Sequence, residues 1–138
     1  MNSGLTGVPA TITMAVGMIR MARIWLLALR PASLTASAVA VLVGTALAAD
    51  EAFRPGLFAM AFLGSLALQS GTNLANDYYD HVQGVDTASS LGPSGVIQRG
   101  LLPPRAVLLG GFVAFGAAAV LGLVIAAFVG WPTGAWAR

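Results

Sequence analysis

The sequence predicts an all-α fold, a polytopic membrane helical bundle. Three observations carry that prediction: 57% of the residues are hydrophobic, only 9% are charged, and three apolar stretches are each about as long as a bilayer-spanning helix. A soluble domain has about a quarter of its residues charged, and this chain lacks the charge to cover a water-facing surface. The chain has no cysteine, which excludes a disulfide framework and thiolate metal sites. Its net charge is +2, and its seven basic residues are all arginines spread along the chain rather than gathered into a patch. They read as membrane-topology charges, so no nucleic-acid partner is expected.

Residues 1–12 lack periodicity and are expected to be disordered. Residues 13–138 are expected to form a single membrane domain. Within 13–30, Arg20, Arg23 and Arg30 alternate with Met18, Ile19, Met21, Ile24, Leu26, Leu27 and Leu29, the pattern of a short interfacial helix with Trp25 at headgroup depth. Spans are predicted over 31–49, 55–75 and 106–131, each beginning at or just after a proline, which suits a first helical turn. Gly44, Gly64, Gly110, Gly111, Gly116 and Gly122 would weaken soluble helices but let membrane helices approach closely. Arg20, Arg23 and Arg30 precede the first span, and Arg99 and Arg105 lie between the second and third. Arg54, beside Asp50 and Glu51, is the sole arginine between the first and second. The positive-inside rule then makes the N-terminus and the 76–105 loop cytoplasmic, in a cell inner (plasma) membrane, with Trp131 and Trp136 near the far interface. Ala46-Leu47-Ala48 after an apolar run imitates a signal-peptide cleavage site, but the segment before that run is too long and two more spans follow.

The chemistry concentrates where the second span ends. At about 100° per residue, Gln69, Asn73, Asn76, Asp77, Asp80 and Gly84 fall within an arc of roughly 100°, one polar stripe on an apolar helix. Such a stripe is costly against lipid and implies a wet cavity or a bundle interior. Neighbouring carboxylates repel unless a cation sits between them. With oxygen-only ligands Mg²⁺ is the natural choice, and it prefers one or two carboxylates completed by substrate phosphate oxygens. The competing reading is a solvated acidic cap on the second span. An EF-hand is excluded because the alternate-position acids are missing.

Asn73-Leu74-Ala75-Asn76-Asp77-Tyr78-x-Asp80-x-x-x-Gly84-x-Asp86 resembles the first aspartate-rich motif of the UbiA superfamily of intramembrane aromatic prenyltransferases. Arg30-Pro31 before the first span and Gly92-Pro93-Ser94-Gly95-Val96-Ile97-Gln98-x-Gly100 after the motif fit its menaquinone-pathway branch. Gly84 stands where ubiquinone-type members place a further Asp, and the next acid is Asp86, a spacing closer to the menaquinone-pathway branch, the 1,4-dihydroxy-2-naphthoate polyprenyltransferases. The resemblance covers about residues 24–130. It implies Mg²⁺-dependent transfer of a polyprenyl group from a polyprenyl diphosphate to an aromatic acceptor. Asn76 and Asp80, one turn apart, are the first candidates for metal ligands, followed by Asp77 and Asp86. Asn76, Asp77 and Asp80 are the expected catalytic residues, and Asn73, Arg30 and Arg99 are the candidates to hold the diphosphate. His81 is expected to be a loop residue without chemistry, and Tyr78 and Tyr79 interface anchors.

Family members have about nine spans and a second aspartate-rich motif, whereas this chain has three predicted spans and its last acid is Asp86. The chain alone is therefore expected to be incomplete and inactive, and to associate with itself or with a partner chain to hide the polar stripe. Two other readings stay open: a UbiA-type transferase for a different aromatic acceptor, and a non-catalytic membrane fragment or half-transferase.

Overall fold

A computed structural model describes residues 9–85 and 94–129. These residues form four helices, α1 (Ala10–Leu29), α2 (Pro31–Ala52), α3 (Pro55–Val82) and α4 (Pro104–Val129). Each of the four is long and apolar enough to cross a membrane. The all-α membrane class predicted from composition is therefore what the chain adopts.

The element boundaries differ in instructive ways. α1 begins at Ala10, so the helix expected from residue 13 starts earlier and takes in the last residues of the segment expected to be disordered; residues 1–8 lie outside the described residues. Residues 11–23 are exposed throughout, and α1 packs into the described core through Ile24, Trp25, Ala28 and Leu29. α3 runs on to Val82 without a break at residue 75, so the polar run is helical rather than a loop. Its 28 residues rise about 42 Å, against about 30 Å of hydrocarbon, so its polar end projects past the apolar layer when its start sits at the opposite interface. α4 starts at Pro104, two residues before the expected span, whose last residues, 130–131, lie outside the described residues together with Trp136.

α3 and α4 meet through small residues. A Cβ at Gly71 would come within 2.7 Å of the Phe115 ring, and one at Gly111 would meet the Gly71 carbonyl oxygen at 3.4 Å. Gly110 seats Trp25, whose ring would lie 2.9 Å from an added Cβ. Trp25 therefore packs against α4, in addition to any role at headgroup depth. The expectation that Gly44, Gly64, Gly110, Gly111, Gly116 and Gly122 all serve close approach needs correction. Gly44, Gly116 and Gly122 have nothing within 4 Å of an added Cβ, while Gly71, absent from that set, makes the tightest contact.

The buried apolar core sits at one end of the bundle. Ala28, Leu74, Val96, Ile97, Leu102 and Val107 form it, with Ile24, Trp25, Leu29 and Leu101 packed around. The last turns of α1, the second half of α3, the turns over 94–102 and the start of α4 converge there. Most of the remaining helix surface is apolar and uncovered, as lipid-facing surface is.

Candidate functional site

Of the three described glycines in the left-handed region, Gly84, Gly95 and Gly100, the first and last close turns at the polar end. Gly84 has φ 70° and follows the α3 cap residue Gln83. Val85 N–H donates to the Asp80 carbonyl at 2.9 Å and Gly84 N–H to His81 at 3.2 Å, the paired bonds of a Schellman cap. This accounts for the glycine at position 84, since an L side chain there is strained and the helix must end. Gly100, φ 64°, repeats the device: Leu101 N–H donates to Val96 and Gly100 N–H to Ile97, both at 2.9 Å. The 94–100 segment is thereby a closed turn with Val96 and Ile97 buried in the core.

The corner between α1 and α2 is one residue, Arg30, at φ 55° and ψ 73°. A non-glycine residue in this region before a proline is conformationally costly. Its side chain shows what holds it there: the guanidinium donates to Asp77 Oδ1 and forms a salt bridge with it. The Ser94 hydroxyl donates to the other oxygen, Asp77 Oδ2. Asp77 is 3% exposed, so one buried carboxylate ties together the corner, α3 and the 94–100 turn.

One turn earlier on α3, Asn73 works on the same corner. Its Nδ2 donates to the Leu29 carbonyl at 2.8 Å and to Ser33 Oγ at 2.7 Å, and its Oδ1 accepts from Gln69 Nε2 at 3.2 Å. Gln69 Oε1 accepts from Ser37 Oγ at 3.1 Å. The Leu29 carbonyl is one of the groups a helix C-terminus leaves without an intrahelical partner, and Asn73 satisfies it.

The polar stripe thus divides into two columns. Gln69, Asn73 and Asp77 face inward and are engaged with the α1–α2 corner. Asn76 and Asp80 stand beside them, Asn76 exposed and Asp80 half-buried. Arg99 is exposed at the end of the 94–100 turn, and His81 and Tyr79 are exposed at the end of α3. Asp86, Gly92 and Pro93 lie outside the described residues. Among the described residues Arg30 Nε and Gln98 Nε2 are buried without a hydrogen-bond partner. Ser33, Ser37 and Ser94 were not legible as partners in the sequence, since a serine in a span or between glycines carries no sign of the side chain it meets.

Among the described residues no three His, Asp or Glu side chains gather as a metal cage. The donors without a hydrogen bond to another described side chain, the Asn76 carboxamide and the Asp80 carboxylate, fit Mg²⁺ in one mode: a cation that takes one or two protein oxygens and completes its shell with phosphate and water. Among the described residues the site is an open edge rather than a cavity. A hollow of ≈ 450 Å³ lies at the opposite end of the bundle, lined by Phe53, Met60 and Phe128 among others, and carries none of these groups.

Comparison with known proteins agrees with this architecture. The UbiA prenyltransferase family matches residues 37–137. A 1,4-dihydroxy-2-naphthoate octaprenyltransferase from Bacillus subtilis is 43% identical over 103 residues, covering 74% of this chain and 33% of that protein. The Escherichia coli protein of the same name is 40% identical over 79 residues, 56% of this chain and 26% of its own length. A UbiA prenyltransferase domain-containing protein 1 from Dictyostelium discoideum is 34% identical over 102 residues, 72% of this chain and 31% of its own length. The chain therefore spans about a third or less of these relatives. No solved structure matches it. With its match running over most of the chain and its helices apolar enough to cross a membrane several times, the chain belongs to the UbiA prenyltransferase family of multi-pass membrane proteins.

Proposed function

We propose that this chain carries the first diphosphate-binding edge of an aromatic prenyltransferase, with 1,4-dihydroxy-2-naphthoate as the acceptor and a polyprenyl diphosphate as the donor. The observation that carries the reading is the Asn76–Asp80 column: two oxygen donors one turn apart, accessible beside a carboxylate that Arg30 has already neutralised. Asn76 and Asp80 would hold Mg²⁺ for the donor's diphosphate, with Asp86 the next acid along the chain. Mg²⁺ supplies charge neutralisation for a departing diphosphate. Arg99 offers a forked cation to the phosphate oxygens from the adjacent turn. The uncovered apolar faces of α3 and α4 supply wall for a prenyl chain and keep water from the allylic carbon. The electron-rich ring then forms the new carbon–carbon bond at that carbon as the carbon–oxygen bond to diphosphate breaks, and the attacked ring carbon loses its proton or its carboxyl group as CO₂ to restore the aromatic ring. The acceptor is that named for the bacterial relatives.

The test is a chimera in which residues 10–129 replace the matching segment of the Bacillus subtilis relative, assayed for prenyl transfer to dihydroxynaphthoate. The chimera is expected to turn over, Asp80→Ala within it to lose activity while still inserting in the membrane, and Asp50→Ala to be silent. Full activity of Asp80→Ala would remove Asp80 from the site. The donor and acceptor are expected to reach the site from the cytoplasm, because the arginines that flank it follow the positive-inside rule. Labelling of Ser89→Cys in intact cells checks this: protection from an impermeant thiol reagent is expected, and ready modification reverses the orientation.

A further inference from the structure

We infer that Asp77, although it lies within the acidic motif, is a positioning residue and not a metal ligand. Resting on the reading of Asn76 and Asp80 as the diphosphate-binding edge, this assigns to Asp77 the task of setting where that edge stands.

Both carboxylate oxygens of Asp77 are occupied by partners from two other elements, Arg30 on Oδ1 and the Ser94 hydroxyl on Oδ2. Each partner is itself constrained. Arg30 is the left-handed corner residue whose own carbonyl accepts from Ser33 Oγ and whose preceding carbonyl, that of Leu29, accepts from Asn73 Nδ2. Ser94 is 1% exposed, and its Oγ also lies 3.4 Å from Val96 N–H, at the start of the turn that ends in Arg99 and Gly100. A metal at Asp77 would have to share a buried carboxylate whose two oxygens already bind a guanidinium and a hydroxyl. A metal at Asn76 and Asp80 breaks no hydrogen bond to a described residue.

Helix geometry supplies the coupling. Relative to Asp77, Asp80 lies about 60° around the helix and Asn76 about 100°, both on the same side. Pinning the Asp77 side chain inward therefore fixes the rotation of α3 that turns the Asn76–Asp80 column to its open edge. The Ser94 bond places the turn carrying Arg99 against the same helix end. The Arg30 charge cancels that of Asp77, so among the described carboxylates of this end Asp80 is left as the anionic donor.

Two measurements on the purified chain in detergent test this. The first is binding of Mn²⁺ with farnesyl diphosphate, followed by the Mn²⁺ resonance signal. The second is the unfolding midpoint, followed by tryptophan fluorescence, to which Trp25 at the corner contributes. Asp77→Asn is expected to weaken binding by about tenfold or more, the loss typical of groups that orient ligands without touching the metal. Adding Arg30→Gln removes the stranded guanidinium and is expected to recover most of both the binding and the midpoint. Asp80→Asn is expected to lose binding with no recovery when Arg30→Gln is added. An Asp77→Asn, Arg30→Gln protein that binds no better than Asp77→Asn overturns the inference, because Asp77 is then needed as a ligand. Wild-type binding by Asp77→Asn alone overturns it too, because nothing is then positioned. If the wild-type chain fails to bind Mn²⁺ with farnesyl diphosphate, the functional reading falls separately. The midpoints then decide: recovery by the second substitution supports the Asp77–Arg30 tie, and additive losses overturn it.

Discussion

α3 has two seams, and they are held together by different physics. Toward α4 the contact is glycine and apolar side chain, with Gly71 under Phe115 and Gly111 against the Gly71 carbonyl. Toward the α1–α2 corner it is polar, a ladder of Gln69, Asn73 and Asp77 that ends in a buried ion pair. In lipid the first seam gains no hydrophobic drive between helices and rests on close van der Waals approach. The second rests on a few directional bonds whose loss leaves charge or backbone polarity buried. The difference teaches where each residue's effect will appear: spread along the helix on one side, concentrated at one end on the other.

The largest way to break the comparison is Asp77→Ala. It leaves Arg30 uncompensated in a setting where the two side chains are 17% and 5% exposed. Losing one partner of such a pair costs about 3–5 kcal/mol, toward the low end here because the arginine keeps some solvent. Denaturant unfolding in detergent should show this as the greatest loss of the set. A smaller loss than that of Gly71→Ala would mean that the polar seam contributes less than the apolar one.

Gly71→Ala comes next. Its Cβ would sit 2.7 Å from two Phe115 ring atoms and 3.1 Å from a third, so the ring or the helix must move. Overpacking of this kind costs about 1–3 kcal/mol. Phe115→Leu in the same background should recover part of it, if the clash with that ring is the cause.

The smallest effect sharpens the contrast. Gly116→Ala adds a methyl where nothing lies within 4 Å. Its unfolding free energy should stay within about 0.5 kcal/mol of the parent. Equal losses at Gly71 and Gly116 would show that helix glycines act through the backbone here and not through contact.

The acidic motif illustrates how far residue pattern reaches. Asn76, Asp77 and Asp80 were legible as one face because helical periodicity is a property of the chain itself. Periodicity could not say that α3 continues to Val82, because polar residues after an apolar run read equally as a loop. Nor could it separate Asp77 from Asp80. That separation depends on Arg30, 47 positions away along the chain, and on Ser94 in another turn. The glycines show the same limit: all of them are visible as small residues, but only the facing helix distinguishes Gly71 and Gly111 from Gly116 and Gly122.

By itself the sequence determined the membrane class, the starts of α2, α3 and α4 at or near prolines, and the family, because each is carried by composition or local order that needs no partner. The tertiary structure decided which members of the polar stripe are engaged and which stay open. It also decided that a costly left-handed arginine forms the corner, and that a few glycines out of many carry the helix contact. The physical reason is common to all three. A side chain's role in a low-dielectric bundle is set by the group it meets, and that group comes from elsewhere in the chain.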